Sequence, residues 1–179
     1  LTPLGLYLHK RKASKVEIYR KTNISENRIG QLWNNTSSRL YAEEFYLIVL
    51  AIDDDMNEVA KEVFKELHLT EIDSPRYPEN GSKKELTPLG RFMTTRINSN
   101  VILSKKTGIK EPRLSELFND PNAGLLAKEV YLIALALKEE PGDVFLNLYQ
   151  HLKLNSPEQQ AALKNLGAEK RELRKKKNS

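Results

Sequence analysis

Two eight-residue apolar runs, Phe45 to Ile52 and Val130 to Leu137, are the most hydrophobic stretches of the chain, and each is flanked by sparser apolar positions at helical spacing. Length alone would allow each run to be a buried strand. Helix is the better reading. Ala42-Glu43-Glu44 and Ala127-Lys128-Glu129 extend the runs upstream with helix formers, and no second strand is available to pair with either. Leu4 and Leu8, with Leu89 and Met93, share the face of an earlier helix over about 3–11 and 88–96. Ile29, Leu32, Ile48 and Leu50, with Leu114, Leu117, Ile133 and Leu135, are read as core only.

These positions correspond at a constant offset of 85 residues, because the chain contains a repeat. Leu1-Thr2-Pro3-Leu4-Gly5 returns as Leu86-Thr87-Pro88-Leu89-Gly90, and Leu1 to Phe64 aligns with Leu86 to Tyr149 without a gap. Roughly a third of the paired positions are identical. The period is too long for a solenoid unit and suits a small domain present twice. The expected organisation is a first domain over 1–67, a linker over 68–85, a second domain over 86–155 and a C-terminal segment over 156–179.

Local signals predict five helices per repeat. Thr-Pro opens each, an N-cap followed by proline at the first helical position. Ser14-Lys15-Val16-Glu17 reads as a capping box starting a second helix, with Ser99 keeping the cap in the second copy. That helix ends at Thr22-Asn23 or Thr107-Gly108, where Asn and Gly suit a left-handed turn. A third helix follows Ile24 or Ile109, capped by Ser25 in the first copy and carrying Pro112 in its first turn in the second. A polar loop leads to the central apolar helix, and a fifth closes each unit over about 56–67 and 142–153. The linker holds Ser74-Pro75, Tyr77-Pro78 and Asn80-Gly81, and is long enough to allow more than one relative orientation. Ser156-Pro157 signals a further helix with a thin apolar face, interrupted at Gly167 and ending in a basic run over 170–177.

Composition narrows the function. The 179 residues carry a net charge of +5, but residues 1–67 sum to 0, 68–85 to −1, 86–155 to +2 and 156–179 to +4, so the basic excess lies mainly in the tail. That tail is either solvated or an arm that tracks phosphate. No cysteine is present, which removes disulfides and thiolate chemistry and suits a reducing cytoplasm. No apolar run approaches the roughly 20 residues that span a bilayer, and no signal-peptide pattern opens the chain. The sequence begins at Leu1, so at least an initiator methionine is expected before it. His9, His68 and His151 are neither paired in spacing nor repeated, and no phosphate loop or nucleophile elbow occurs. No metal, cofactor or catalytic site is expected, nor a small-molecule ligand or membrane contact; the chain reads as a non-enzyme.

A first helix with Tyr7-x-x-x-Arg11 or Phe92-x-x-x-Arg96, a second ending Thr107-Gly108-Ile109, then Arg113-Leu114-Ser115-Glu116-Leu117 and Ala134-Leu135-Ala136-Leu137, resembles the lambda-repressor-like superfamily, the Cro or XRE type of helix-turn-helix. The resemblance covers about 1–67 and 86–153. It implies an all-α fold of two tandem five-helix units followed by a basic helix or tail. It also implies third helices that read base edges in the major groove and second helices whose first turn meets phosphate. By position, Glu26, Asn27, Arg28 and Gln31 face bases in the first copy, with the capping Ser25 also at the DNA, and Glu111, Arg113 and Glu116 in the second, with Lys110 at the helix start. Ser14, Lys15, Ser99 and Asn100 begin the second helices, and Arg39 flanks the backbone.

Arginine is repeated at 28 and 113 on the expected outward face, which favours DNA contact over an ordinary solvated helix. Glu111, Pro112 and Glu116 make the second copy acidic and one donor poorer. Many relatives carry glutamate where this chain has Asn34 and Asn119, so Arg11 and Arg96 either stack on Trp33 and Phe118 or remain solvated. The implied function is a bacterial or phage type transcription regulator, cytoplasmic and nucleoid-associated, acting as a covalent pseudo-dimer on double-stranded DNA. The other reading is a protein-interaction adaptor in which one or both units no longer read DNA. Partners beyond DNA are then another protein or a second copy of the chain.

Overall fold

The computed structural model describes residues 1–71, 87–94 and 99–177. These residues are all-helical: α1 (Pro3–Lys10), α2 (Lys15–Thr22), α3 (Glu26–Asn34), α4 (Ala42–Ala51) and α5 (Met56–Val63) form the first repeat. The second consists of α6 (Pro88–Thr94), α7 (Asn100–Thr107), α8 (Glu111–Asn119), α9 (Ala127–Leu137) and α10 (Pro141–Tyr149), and α11 (Pro157–Lys177) follows. Among the described residues, no helix is long and apolar enough to cross a membrane. Most of the expected linker, and Arg96, lie outside the described residues.

The repeated Leu-Thr-Pro-Leu-Gly motif locks α1 onto α3. Thr2 caps α1 by accepting from Gly5 N–H at 2.8 Å, while its hydroxyl donates to Leu32 O at 2.6 Å and its own N–H to Trp33 O at 2.9 Å. Thr87 makes the same three bonds to Gly90, Leu117 and Phe118. Glycine is required at position 5: a Cβ there would stand 2.0 Å from Trp33 O. The motif that reveals the repeat is thus a packing device.

α4 and α9 are the buried helices read from the apolar runs, with Phe45, Ile48, Val130 and Ile133 fully enclosed. Burial of each such side chain stabilises by about 1.5–3 kcal/mol. Leu50 and Leu135, read as core, are half-buried.

One core runs through both repeats. Tyr41 and Leu126 form an antiparallel bridge, with Ala42 N–H donating to Leu125 O at 2.8 Å and Ala127 N–H to Leu40 O at 2.9 Å. Phe64 meets Tyr131 at 5.3 Å between ring centroids, and Tyr149 meets Tyr46 at 5.8 Å. Each contact recurs with its members exchanged by the 85-residue offset, the signature of an isologous, two-fold interface built within one chain. Sequence similarity between the copies makes this arrangement self-complementary. The symmetry is imperfect at the centre, where Phe45 meets Phe145 at 4.9 Å and the corresponding positions hold Val130 and Ala60.

Two expectations change, while the linker whose length would allow more than one orientation lies mostly outside the described residues. The fifth helices are shorter than 56–67 and 142–153, because the chain leaves each to reach the opposite repeat: Thr70 N–H donates to Lys106 O at 2.8 Å, and Asn155 N–H to Lys21 O at 2.7 Å. Gly167 does not interrupt the C-terminal helix; α11 runs 21 residues through it and packs on α2.

Candidate nucleic-acid interface

In each repeat the second and third helices are joined by a turn of the same construction. Asn23 and Gly108 take left-handed backbones, φ 64° and 72°. Thr22 donates its hydroxyl to Ile18 O at 2.7 Å and accepts from Ile24 N–H at 3.1 Å; Thr107 does the same with Leu103 and Ile109, at 2.7 and 3.2 Å. The repeated threonine therefore fixes the angle between the helices. Its recurrence immediately before the left-handed residue was the available signal.

Ser14 caps α2 through Glu17 N–H at 3.4 Å, Ser99 caps α7 through Val101 N–H at 3.2 Å, and Ser25 caps α3 through Arg28 N–H at 3.2 Å. Lys110 takes the place of Ser25 before α8 and makes no side-chain cap. The reciprocal glutamate of a capping box is found at the fourth helices, where Glu44 accepts from Tyr41 N–H at 3.2 Å and Glu129 from Leu126 N–H at 2.9 Å.

Those glutamates hold the repeated arginines. Arg28 donates from Nε and Nη2 to Glu44 at 2.7 and 2.8 Å, and from Nη2 to Arg39 O at 2.6 Å. Arg113 copies this with Glu129 at 2.9 and 3.1 Å and with Gly124 O at 2.7 Å, and Nη1 adds Glu116 at 2.8 Å. Hydrogen bonding to Glu44 and Glu129 raises both guanidinium pKa values, against the opposing effect of burial. The sequence placed Arg28 and Arg113 outward toward bases; the structure turns both back onto the following helix. A bidentate carboxylate beside a carbonyl satisfies the planar fork of donors better than solvent does. Each arginine thereby anchors its third helix beside the Tyr41–Leu126 bridge between the repeats.

The remaining candidates separate by exposure. Ser14, Ser25, Glu26, Asn27, Gln31 and Arg39 are exposed in the first repeat, as are Lys110, Glu111 and Glu116 in the second; Lys15, Ser99 and Asn100 are half-buried. Lys15 Nζ lies 5.0 Å from the Trp33 ring centroid, occupying the aromatic face proposed for Arg11. Arg11 instead pairs with Asp54, Nε to Oδ2 at 2.8 Å, and Tyr7 donates to the same carboxylate at 3.0 Å. Asn34 and Asn119 donate back to Gly30 O and Ser115 O, at 3.3 and 2.7 Å, near the ends of the third helices.

α3 thus exposes the amides of Asn27 and Gln31 beside one carboxylate, Glu26, while α8 exposes Pro112 and the carboxylates Glu111 and Glu116. No family model, curated protein or solved structure matches this chain.

Proposed function

We propose that this chain is a sequence-specific DNA-binding transcription regulator whose two repeats are helix-turn-helix units of lambda-repressor-like type, acting as a covalent pseudo-dimer. One observation carries the reading. The two repeats, each with a tight turn joining its second and third helices, are related by reciprocal contacts of two-fold type, the symmetry by which dimeric helix-turn-helix binders address consecutive major-groove half-sites. That relation favours inverted half-sites, about 34 Å apart, over direct ones. Ser14, Lys15, Asn100, Arg39 and the 34–38 loop supply phosphate-facing groups, and Asn27 and Gln31 supply the base-facing amides. Arg28 and Arg113 act as positioning residues for the third helices.

A second reading, the protein-interaction adaptor, is favoured by the ion pairing of both third-helix arginines, which leaves α8 acidic on its exposed side. The salt dependence of duplex binding distinguishes the two. A DNA regulator loses affinity linearly in log–log form, with a slope near −0.9 per phosphate contacted. Contact with about five phosphates gives a slope of about −4 to −5. Absence of duplex binding at low salt supports the adaptor.

A further inference from the structure

We infer that the two halves of this pseudo-dimer are unequal readers: the first repeat selects bases and the second lies on the duplex without selecting them. The inference rests on the DNA-binding reading above and assigns specificity within it.

The 85-residue offset allows the two third helices to be compared residue by residue in the same local frame. Asn27 corresponds to Pro112, Gln31 to Glu116 and Ser25 to Lys110, while glutamate stands at both 26 and 111. The frame itself is equivalent, since the turn threonines, the helix-anchoring arginines and the Thr2/Thr87 bonds match across the repeats. What differs is the chemistry at the exposed positions. Asn27 and Gln31 are both exposed, one turn apart on α3, and each amide can donate and accept together against adenine N7 and N6.

At the matching positions α8 has lost that ability. Pro112 has no polar side-chain atom, and as the second residue of α8 its missing N–H costs the helix nothing. Glu116 is a pure acceptor, and its Oε2 is already engaged by Arg113 at 2.8 Å. Its charge also opposes approach to phosphate. Asn119, the remaining amide on α8, is turned back onto Ser115 O.

The site expected is therefore lopsided, with one half-site containing adenines and a partner half-site, about one helical turn away, nearly free of sequence preference. Selection from a randomised duplex pool with three proteins tests this: the native chain, Asn27→Ala/Gln31→Ala, and Pro112→Asn/Glu116→Gln. All four positions are exposed, and helical circular dichroism verifies folding. The native chain should return a single half-site, with replacement of a read base weakening binding roughly 5- to 150-fold. The Asn27→Ala/Gln31→Ala protein should lose that motif while keeping salt-sensitive binding. The Pro112→Asn/Glu116→Gln protein should gain a second half-site inverted with respect to the first. A symmetric motif from the native chain, or a motif that survives Asn27→Ala/Gln31→Ala, would overturn the inequality while leaving DNA reading intact. Motif-free binding by all three proteins would overturn both.

Discussion

Asn57 and Gly142 occupy the same position in the two repeats, and they touch: Gly142 N–H donates to Asn57 Oδ1 at 2.6 Å. A residue meeting its own counterpart lies on the axis relating two halves of an isologous pair. Glycine is needed there, because a Cβ on residue 142 would stand 2.6 Å from the backbone nitrogen of Asn57. Gly142→Ala is expected to destabilise the chain by about 1–3 kcal/mol, the usual cost of overpacking, read as a lower denaturation midpoint. An unchanged midpoint would show that α5 and α10 do not meet this way.

Arg113→Ala should behave as a stability lesion. It leaves the carboxylate of Glu129, only 6% exposed, without its partner, at a cost of about 3 kcal/mol, the low end for a broken buried pair. Adding Glu129→Gln should recover much of that loss, since the amide oxygen can still accept from Leu126 N–H while the buried charge is gone. Failure of the second substitution to recover stability would place the cost in lost packing instead.

Gly5→Ala should cost about 3 kcal/mol, since the added methyl meets the Trp33 backbone and not a side chain that could swing aside. Thr2→Val retains the shape but removes a cap and a donor, and about 1–2 kcal/mol is expected from thermal or denaturant unfolding.

Alkaline pH should weaken the fold through Tyr149. Burial, and then the Glu43 carboxylate of the other repeat, raise its pKa above the ordinary 10.0. Below pH 10 both folded and unfolded chains hold the proton and its contribution is complete. As pH rises above 10 the unfolded chain releases the proton first, so stability falls by about 1.4 kcal/mol per pH unit until the folded-state value is reached. Tyr7 and Tyr46 shift in the same direction. Tyr149→Phe, which installs the residue found at the equivalent position 64, should reduce the slope of unfolding free energy against pH by that share. An unaltered slope would assign the effect to the other tyrosines.

Local chemistry made most of the helices legible. Caps at Ser14, Ser25 and Ser99, the left-handed Asn23 and Gly108, and the apolar runs of α4 and α9 act within a few residues of themselves. The pairing of the repeats was not legible in this way, because Leu40 with Ala127, or Thr70 with Lys106, is joined through backbone groups that leave no trace in residue type. Arg28 and Arg113 show the complementary difficulty. Periodicity put them at the surface and repetition marked them as important, but Glu44 and Glu129, 16 residues further along, claim them. Asp54 diverts Arg11 in the same manner. A long charged side chain is placed by its partners, which helical periodicity does not report.

The central claim is that two symmetry-related third helices address one duplex. Hydroxyl-radical footprinting of the native chain, on a duplex selected from the random pool, tests this most directly. The expected result is two protected patches on one face of the DNA, about 34 Å apart and related by an inverted disposition, although base preference is confined to one of them. A single patch, two patches in direct orientation, or no protection on any duplex would contradict it.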